Sequence, residues 1–159
     1  MDVSIQVRQQ NGWDFVNYVG PINEEAEVHL TRLLKQLGTK CVFNFKQVAF
    51  VNSCGVRAWI NFMREVEKGR QVIFEECTPE IVMQVNMIPS FKGTATIKSV
   101  YASYACDACS HHQNMLFEAG KNLPSAENMN FPEVKCEECG GPMQMEELED
   151  EFFAFSMAG

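Results

Sequence analysis

The chain has 159 residues, 46% hydrophobic and 21% charged, an ordinary globular balance that excludes wholesale disorder. Thirteen basic residues against 21 acidic ones give a formal net charge of -8, which disfavours nucleic-acid binding by general phosphate attraction. No apolar run approaches the roughly 20 residues of a membrane-spanning helix. Met1-Asp2-Val3-Ser4 has neither the basic nor the apolar region of a secretory leader, so a cytoplasmic protein with no membrane association is expected.

Val3, Ile5 and Val7 alternate, which predicts a strand with one buried face. Asn11-Gly12 is a hairpin turn signal, and Trp13, Phe15, Tyr18 and Val19 mark a second strand closed by Gly20-Pro21. A helix follows, with Glu24, Glu25 and Glu27 where the helix dipole favours anions. Leu30, Leu33, Leu34 and Leu37 are its buried stripe, and Gly38 is its stop. Residues 41–45 read as a central buried strand. Ser53 or Cys54 opens the next helix, whose inner face is Val56, Trp59, Ile60, Met63 and Val66. Residues 72–74 form another strand. Thr78-Pro79-Glu80 is a strong helix start, with Ile81, Val82, Val85 and Ile88 inside and Pro89 as the end. Residues 97–104 read as the last strand of this unit. The order β-β-α-β-α-β-α-β predicts an α/β domain with a mixed sheet and amphipathic helices on one or both faces.

The segment after the third strand carries a motif: Val48-Ala49-Phe50-Val51, then Asn52-Ser53-Cys54-Gly55-Val56, then a helix. It resembles the STAS domain, the family of anti-sigma-factor antagonists and sulfate-transporter cytoplasmic tails. The resemblance covers about residues 1–100 and fits the element order. It implies a bacterial signalling protein that binds a protein partner, such as an anti-sigma-like kinase. By position, Ser53 matches the family's phosphorylated serine, Gly55 its glycine, Cys54 the small residue between them and Val56 the leucine. Asn52 stands where the family has Asp, keeping hydrogen bonding but losing the charge. Two readings of Ser53 stand side by side. A phosphate there gains from the helix dipole and unpaired backbone N–H groups. An unmodified serine is a helix N-cap, worth about 1 kcal/mol. Cys54 reads either as a thiol activated by the helix N-terminus or, preferably, as a small buried spacer. Cys41 and Cys77 read as packing residues.

The remaining cysteines form two CxxC pairs, Cys106/Cys109 and Cys136/Cys139, with 26 residues between them. Each pair can turn its backbone N–H groups towards its thiolates, and two such knuckles complete the four-thiolate shell that zinc prefers. Gly140-Gly141 permits the tight turn after the second pair. This extension resembles a zinc ribbon with one structural zinc per chain. A closed four-thiolate shell leaves no position for a catalytic water. His111 and His112 are expected to face solvent or to support the cysteines from outside. The cysteines and the charge change together near residue 104, which divides the chain into a STAS-like domain, residues 1–103, and a ribbon-like extension, residues 104–159. The extension has two lysines against eleven acids, -9, and leaves +1 on the first unit. Zinc with four thiolates would add about -2 more. Direct nucleic-acid binding is therefore not expected. Phe152-Phe153-Ala154-Phe155 is expected either to dock on the chain's own sheet or to form a homodimer contact.

No GxGxxG, P-loop, GxSxG or HExxH pattern is present. His29, His111 and His112 lie far in sequence from any evident nucleophile. The reading is a non-enzymatic interaction module of the anti-sigma-factor-antagonist type. The alternatives are a transcription accessory factor using the ribbon to contact protein, or a thiol-dependent enzyme using Cys54.

Overall fold

The computed structural model describes residues 2–157; Met1 of the N-terminal segment and the last two residues of the extension lie outside the described residues. A five-stranded sheet is built from β1 (Ser4–Gln10), β2 (Trp13–Val19), β3 (Lys40–Gln47), β4 (Gln71–Glu75) and β5 (Thr96–Ile97), in that spatial order. The β1–β2 hairpin is antiparallel; the later neighbours are parallel. The crossovers carry α1 (Ala26–Leu34), α2 (Ser53–Val66), α3 (Pro79–Met87) and the short α4 (Pro89–Lys92). Right-handed crossovers that always step in one direction put their helices on one face of the sheet. The burial pattern agrees. Asp14, Val16 and Tyr18 are buried on β2, and Phe43, aligned with Val16 and Phe74, is fully buried.

The core beneath these helices is aromatic. The Trp59 ring lies 5.5 Å from Phe43, 5.3 Å from Phe45 and 5.2 Å from Phe62, mostly edge-on. Its buried indole N–H donates to the Phe91 carbonyl at 2.9 Å, so the polar atom of the largest core side chain is satisfied. Phe62, rather than the expected Ile60, joins Trp59, Met63 and Val66 on the buried stripe of α2. The first helix is shorter than its leucine pattern suggests. It ends at Leu34, and Gly38 lies beyond it, donating its N–H to the buried Asp14 carboxylate at 2.7 Å.

A second sheet has the order β7-β6-β8, from β6 (Ser99–Cys106), β7 (His112–Glu118) and β8 (Met143–Met145), all antiparallel. The expected strand over residues 97–104 is thus two strands in two sheets. The Lys98 N–H still donates to the Phe74 carbonyl, at 2.7 Å, and from Ser99 onward the chain pairs with β7. β6 runs through residues 103 and 104, so the sequence division there marks a change of charge and cysteine content inside a strand.

The C-terminal segment folds back as α5 (Glu149–Phe152) and α6 (Ala154–Met157). Phe153 is fully buried, 5.3 Å from Phe117 and 5.9 Å from Phe131, and Phe152 is buried beside it. The Asn86 amide on α3 donates to the carbonyls of Glu151 and Phe152. These two phenylalanines of the aromatic tail are therefore packed inside their own chain.

Candidate functional site

The start of α2 is assembled from three segments. The Ile22 N–H donates to the Phe50 carbonyl at 2.9 Å, and the Asn52 N–H donates back to the Ile22 carbonyl at 3.1 Å. This joins the end of the first hairpin to the approach to α2. Gly55 is fixed by that contact. A Cβ at its position would stand 1.8 Å from the Ile22 carbonyl oxygen, so no other residue fits without moving backbone.

The cap of this helix differs from the expectation. Asn52, not Ser53, is the N-cap. Its backbone is extended (φ -114°, ψ 175°), and its Oδ1 accepts from the Gly55 N–H at 2.9 Å. Its Nδ2 donates to Glu24 at 3.1 Å, and that bond holds the Glu24 carboxyl below its usual range. Ser53 becomes the first helical residue, with its side chain exposed. Cys54 is also exposed, not a buried spacer, because the inward stripe of α2 runs through Gly55, Trp59, Phe62, Met63 and Val66. Ser53 and Cys54 thus face solvent beside the half-buried Asn52, with Phe50, 55% exposed, just before them. Cys41 and Cys77 are fully buried, and burial pushes the Cys41 thiol up to about 11 and Cys77 higher still.

Cys106, Cys109, Cys136 and Cys139 come together at the end of the second sheet, with all four sulfurs within 4.8 Å of one another. Cys106 and Cys139 are 3.5 Å apart, as are Cys109 and Cys136, and all four are free thiols. A tetrahedral four-sulfur shell with metal–sulfur bonds near 2.3 Å sets its sulfurs about 3.8 Å apart, so the cluster fits such a metal ion. Two matching turns build it. The Ser110 N–H donates to the Cys106 carbonyl, and the Gly140 N–H to the Cys136 carbonyl. Ser110 and Gly140 occupy the same place in their turns, both in the left-handed region, at φ 63° and 73°. The Cys109 backbone N–H, followed by that of Ala108, helps bring the Cys106 thiol down to about 7.

The histidines stand outside this cluster. His112 is exposed and pairs with Glu146 at 2.6 Å. His111 is half-buried, and its Nε2 has no hydrogen-bond partner among the described residues. Pairing in this sheet rests on signals the sequence reading missed. β7 carries only a weak alternation, with Phe117 its one buried residue. Among the described residues, no helix is long and apolar enough to cross a membrane.

No family model matches the chain, and no curated protein matches it. Solved structures do show similarity. One is the anti-sigma factor antagonist SpoIIAA in its unphosphorylated form, at 19% identity over 59% of this chain and 86% of that one, TM-score 0.42. A second is the Bacillus cell-fate determinant SpoIIAA in its phosphorylated form, at 18% identity over 59% and 90%, TM-score 0.43. A third is an uncharacterised protein with a SpoIIAA-like fold from Shewanella loihica, at 10% identity over 60% and 83%, TM-score 0.44.

Proposed function

We propose that this protein is a non-enzymatic interaction module of the anti-sigma-factor-antagonist type. Its partner-binding surface would centre on the first turn of α2, and a structural zinc would be held by Cys106, Cys109, Cys136 and Cys139. The observation that carries the reading is the exposure of Ser53 at the first position of a 14-residue helix, inside a turn that Gly55 makes rigid. The motif resemblance supplies the partner class, a protein such as an anti-sigma-like kinase. A phosphate on Ser53 would lie where the helix dipole and free N–H groups favour it, and it would change the charge of the exposed turn. Asn52 already supplies the cap, so Ser53 is left free for modification at little structural cost.

The four-thiolate set favours zinc as a closed, structural ion. Residues 1–103 would then be the signalling unit and residues 104–159 an acidic, zinc-stapled scaffold.

The test is a pull-down from the native organism with wild-type, Ser53→Ala and Ser53→Asp proteins. A partner lost only by Ser53→Asp supports the switch; identical partners for all three remove it. The exposure of Cys54 favours one second reading, a thiol-dependent activity. Alkylation of Cys54 no faster than that of a small free thiol would remove it.

A further inference from the structure

The crossover helices lie on one face of the five-stranded sheet, so alternate residues of its strands point to the opposite face. On β2 these are Trp13, Phe15 and Asn17, half-buried where Asp14, Val16 and Tyr18 are buried. The register sets such residues in rows. Arg8, Phe15 and Val42 are aligned across β1, β2 and β3. Gln6, Asn17, Asn44 and Glu75 are aligned across β1 to β4. A hollow of about 500 Å³ lies over these two rows and is also lined by Lys46 and Glu76. Its volume is that of a small-molecule site.

The acidic end of the hollow is engaged within the chain. The Asn44 amide donates to Glu75 at 3.0 Å and also to Glu76. The Tyr101 hydroxyl donates to Glu76 at 2.7 Å, and Lys98 stands 3.8 Å from Glu75. Glu76 has its backbone in the left-handed region, at φ 49°, and its N–H donates to Ser99 Oγ at 2.7 Å. Burial works against its charge, yet the bonds from Tyr101 and Asn44 keep its carboxyl below the usual range.

The cationic end is different. Arg8 and Lys46 take part in no ion pair among the described residues. In the register the Gln6 and Asn17 amides lie between them. Arg8 does not lean out from the sheet edge. Its guanidinium carbon lies over the neighbouring strand, 5.2 Å from the centre of the Phe15 ring. Lys98 offsets Glu75, so Arg8, Lys46 and Glu76 leave one positive charge in excess around the hollow.

We propose that this hollow binds a small aromatic carboxylate. The carboxylate lies over Gln6 and Asn17, within reach of both the Arg8 fork and Lys46. The ring lies beside it, against Phe15 and above the buried Val42. One positive charge in excess suits a monoanion. A phosphate monoester brings a second negative charge, which the Glu75–Glu76 pair repels. The hollow lies on the face opposite α2, so this site is independent of the Ser53 reading.

The experiment titrates 2-naphthoate into the full-length protein and follows the backbone amides by NMR. The expected result is saturable binding with a Kd of about 1 mM or below, and shifts centred on Arg8, Phe15, Asn17 and Asn44. The Arg8→Gln/Lys46→Gln double variant, folded by circular dichroism, binds at least about tenfold more weakly. Lys35→Gln, at the end of α1 on the helix-covered side, binds as the unaltered protein does. Neutral 2-naphthamide and 2-naphthyl phosphate both bind more weakly than 2-naphthoate. Shifts centred elsewhere, unchanged binding by the double variant, or no saturation would overturn the proposal. Equal or tighter binding of the amide or the phosphate would overturn it too.

Discussion

The two sheets of this molecule share one buried cluster and differ in what is added to it. In the five-stranded sheet that cluster is densely aromatic, where Phe43, Phe45, Trp59, Phe62, Phe74 and Phe91 interlock, and it continues through Val100, Ala102, Tyr104 and Phe117 of the three-stranded sheet. The three-stranded sheet has one short strand and a long connection between β7 and β8, so its own buried apolar surface is small. It depends on contacts from outside its strands: the four cysteines at one end, and Phe152 and Phe153 between it and α3. A hydrophobic core of this aromatic kind needs no ligand, whereas a small unit usually needs a staple. The same contrast appears in charge, +1 against -9, so the acidic half also carries more self-repulsion.

The largest expected effect follows from breaking the staple. If the four cysteines hold a metal ion, its chelation, or Cys136→Ser, should open the three-stranded sheet to proteolysis while the first sheet stays resistant. Limited proteolysis with mass mapping checks this, and equal cleavage of both sheets would erase the distinction. Acid should act in the same direction, because protonated thiols do not bind the ion; zinc release on lowering the pH, followed by a chromogenic chelator, reads it. The next effect lies in the first unit. Gly55→Ala places a methyl group against the Ile22 carbonyl and should cost about 4 kcal/mol in chemical denaturation. A cost near zero would mean that the α2 turn is not rigid. Phe153→Ala leaves a hole beside Phe117 and Phe131 and should cost about 3 kcal/mol, with the loss concentrated in residues 99–157. The smallest effects divide the cap from the switch. Asn52→Ala should cost about 1 kcal/mol. Ser53→Ala should stay within about 0.5 kcal/mol. The reverse order would return the cap to Ser53.

Much of the first unit was legible because its signals are local. The leucine stripe of α1 and the Thr78-Pro79 start lie within a few residues of what they determine; the Val3, Ile5, Val7 alternation marks a strand, but the expected buried face is absent from it, since Val3 lies before β1, Ile5 is half-buried and Val7 is exposed. The cysteine spacing was legible for the same reason, since each turn closes within five residues. What was hidden depends on neighbours distant in sequence. Both Asn52 and Ser53 have capping chemistry, and the choice falls to Asn52 because Ile22 fixes the backbone there. The exposure of Cys54 follows from which side of α2 meets the core. Residues 97–104 read as one strand, and only pairing with β7 and β8 reveals the change of sheet. The docking of the tail needs Asn86, some 65 residues away, which no local pattern announces.

The most direct test of the central contrast is hydrogen–deuterium exchange on the full-length protein before and after metal removal, with zinc content measured alongside. One zinc per chain is expected, with a loss of protection on chelation confined to residues 99–157. A protein purified without metal yet equally protected throughout, or a loss spread evenly over both sheets, would contradict it.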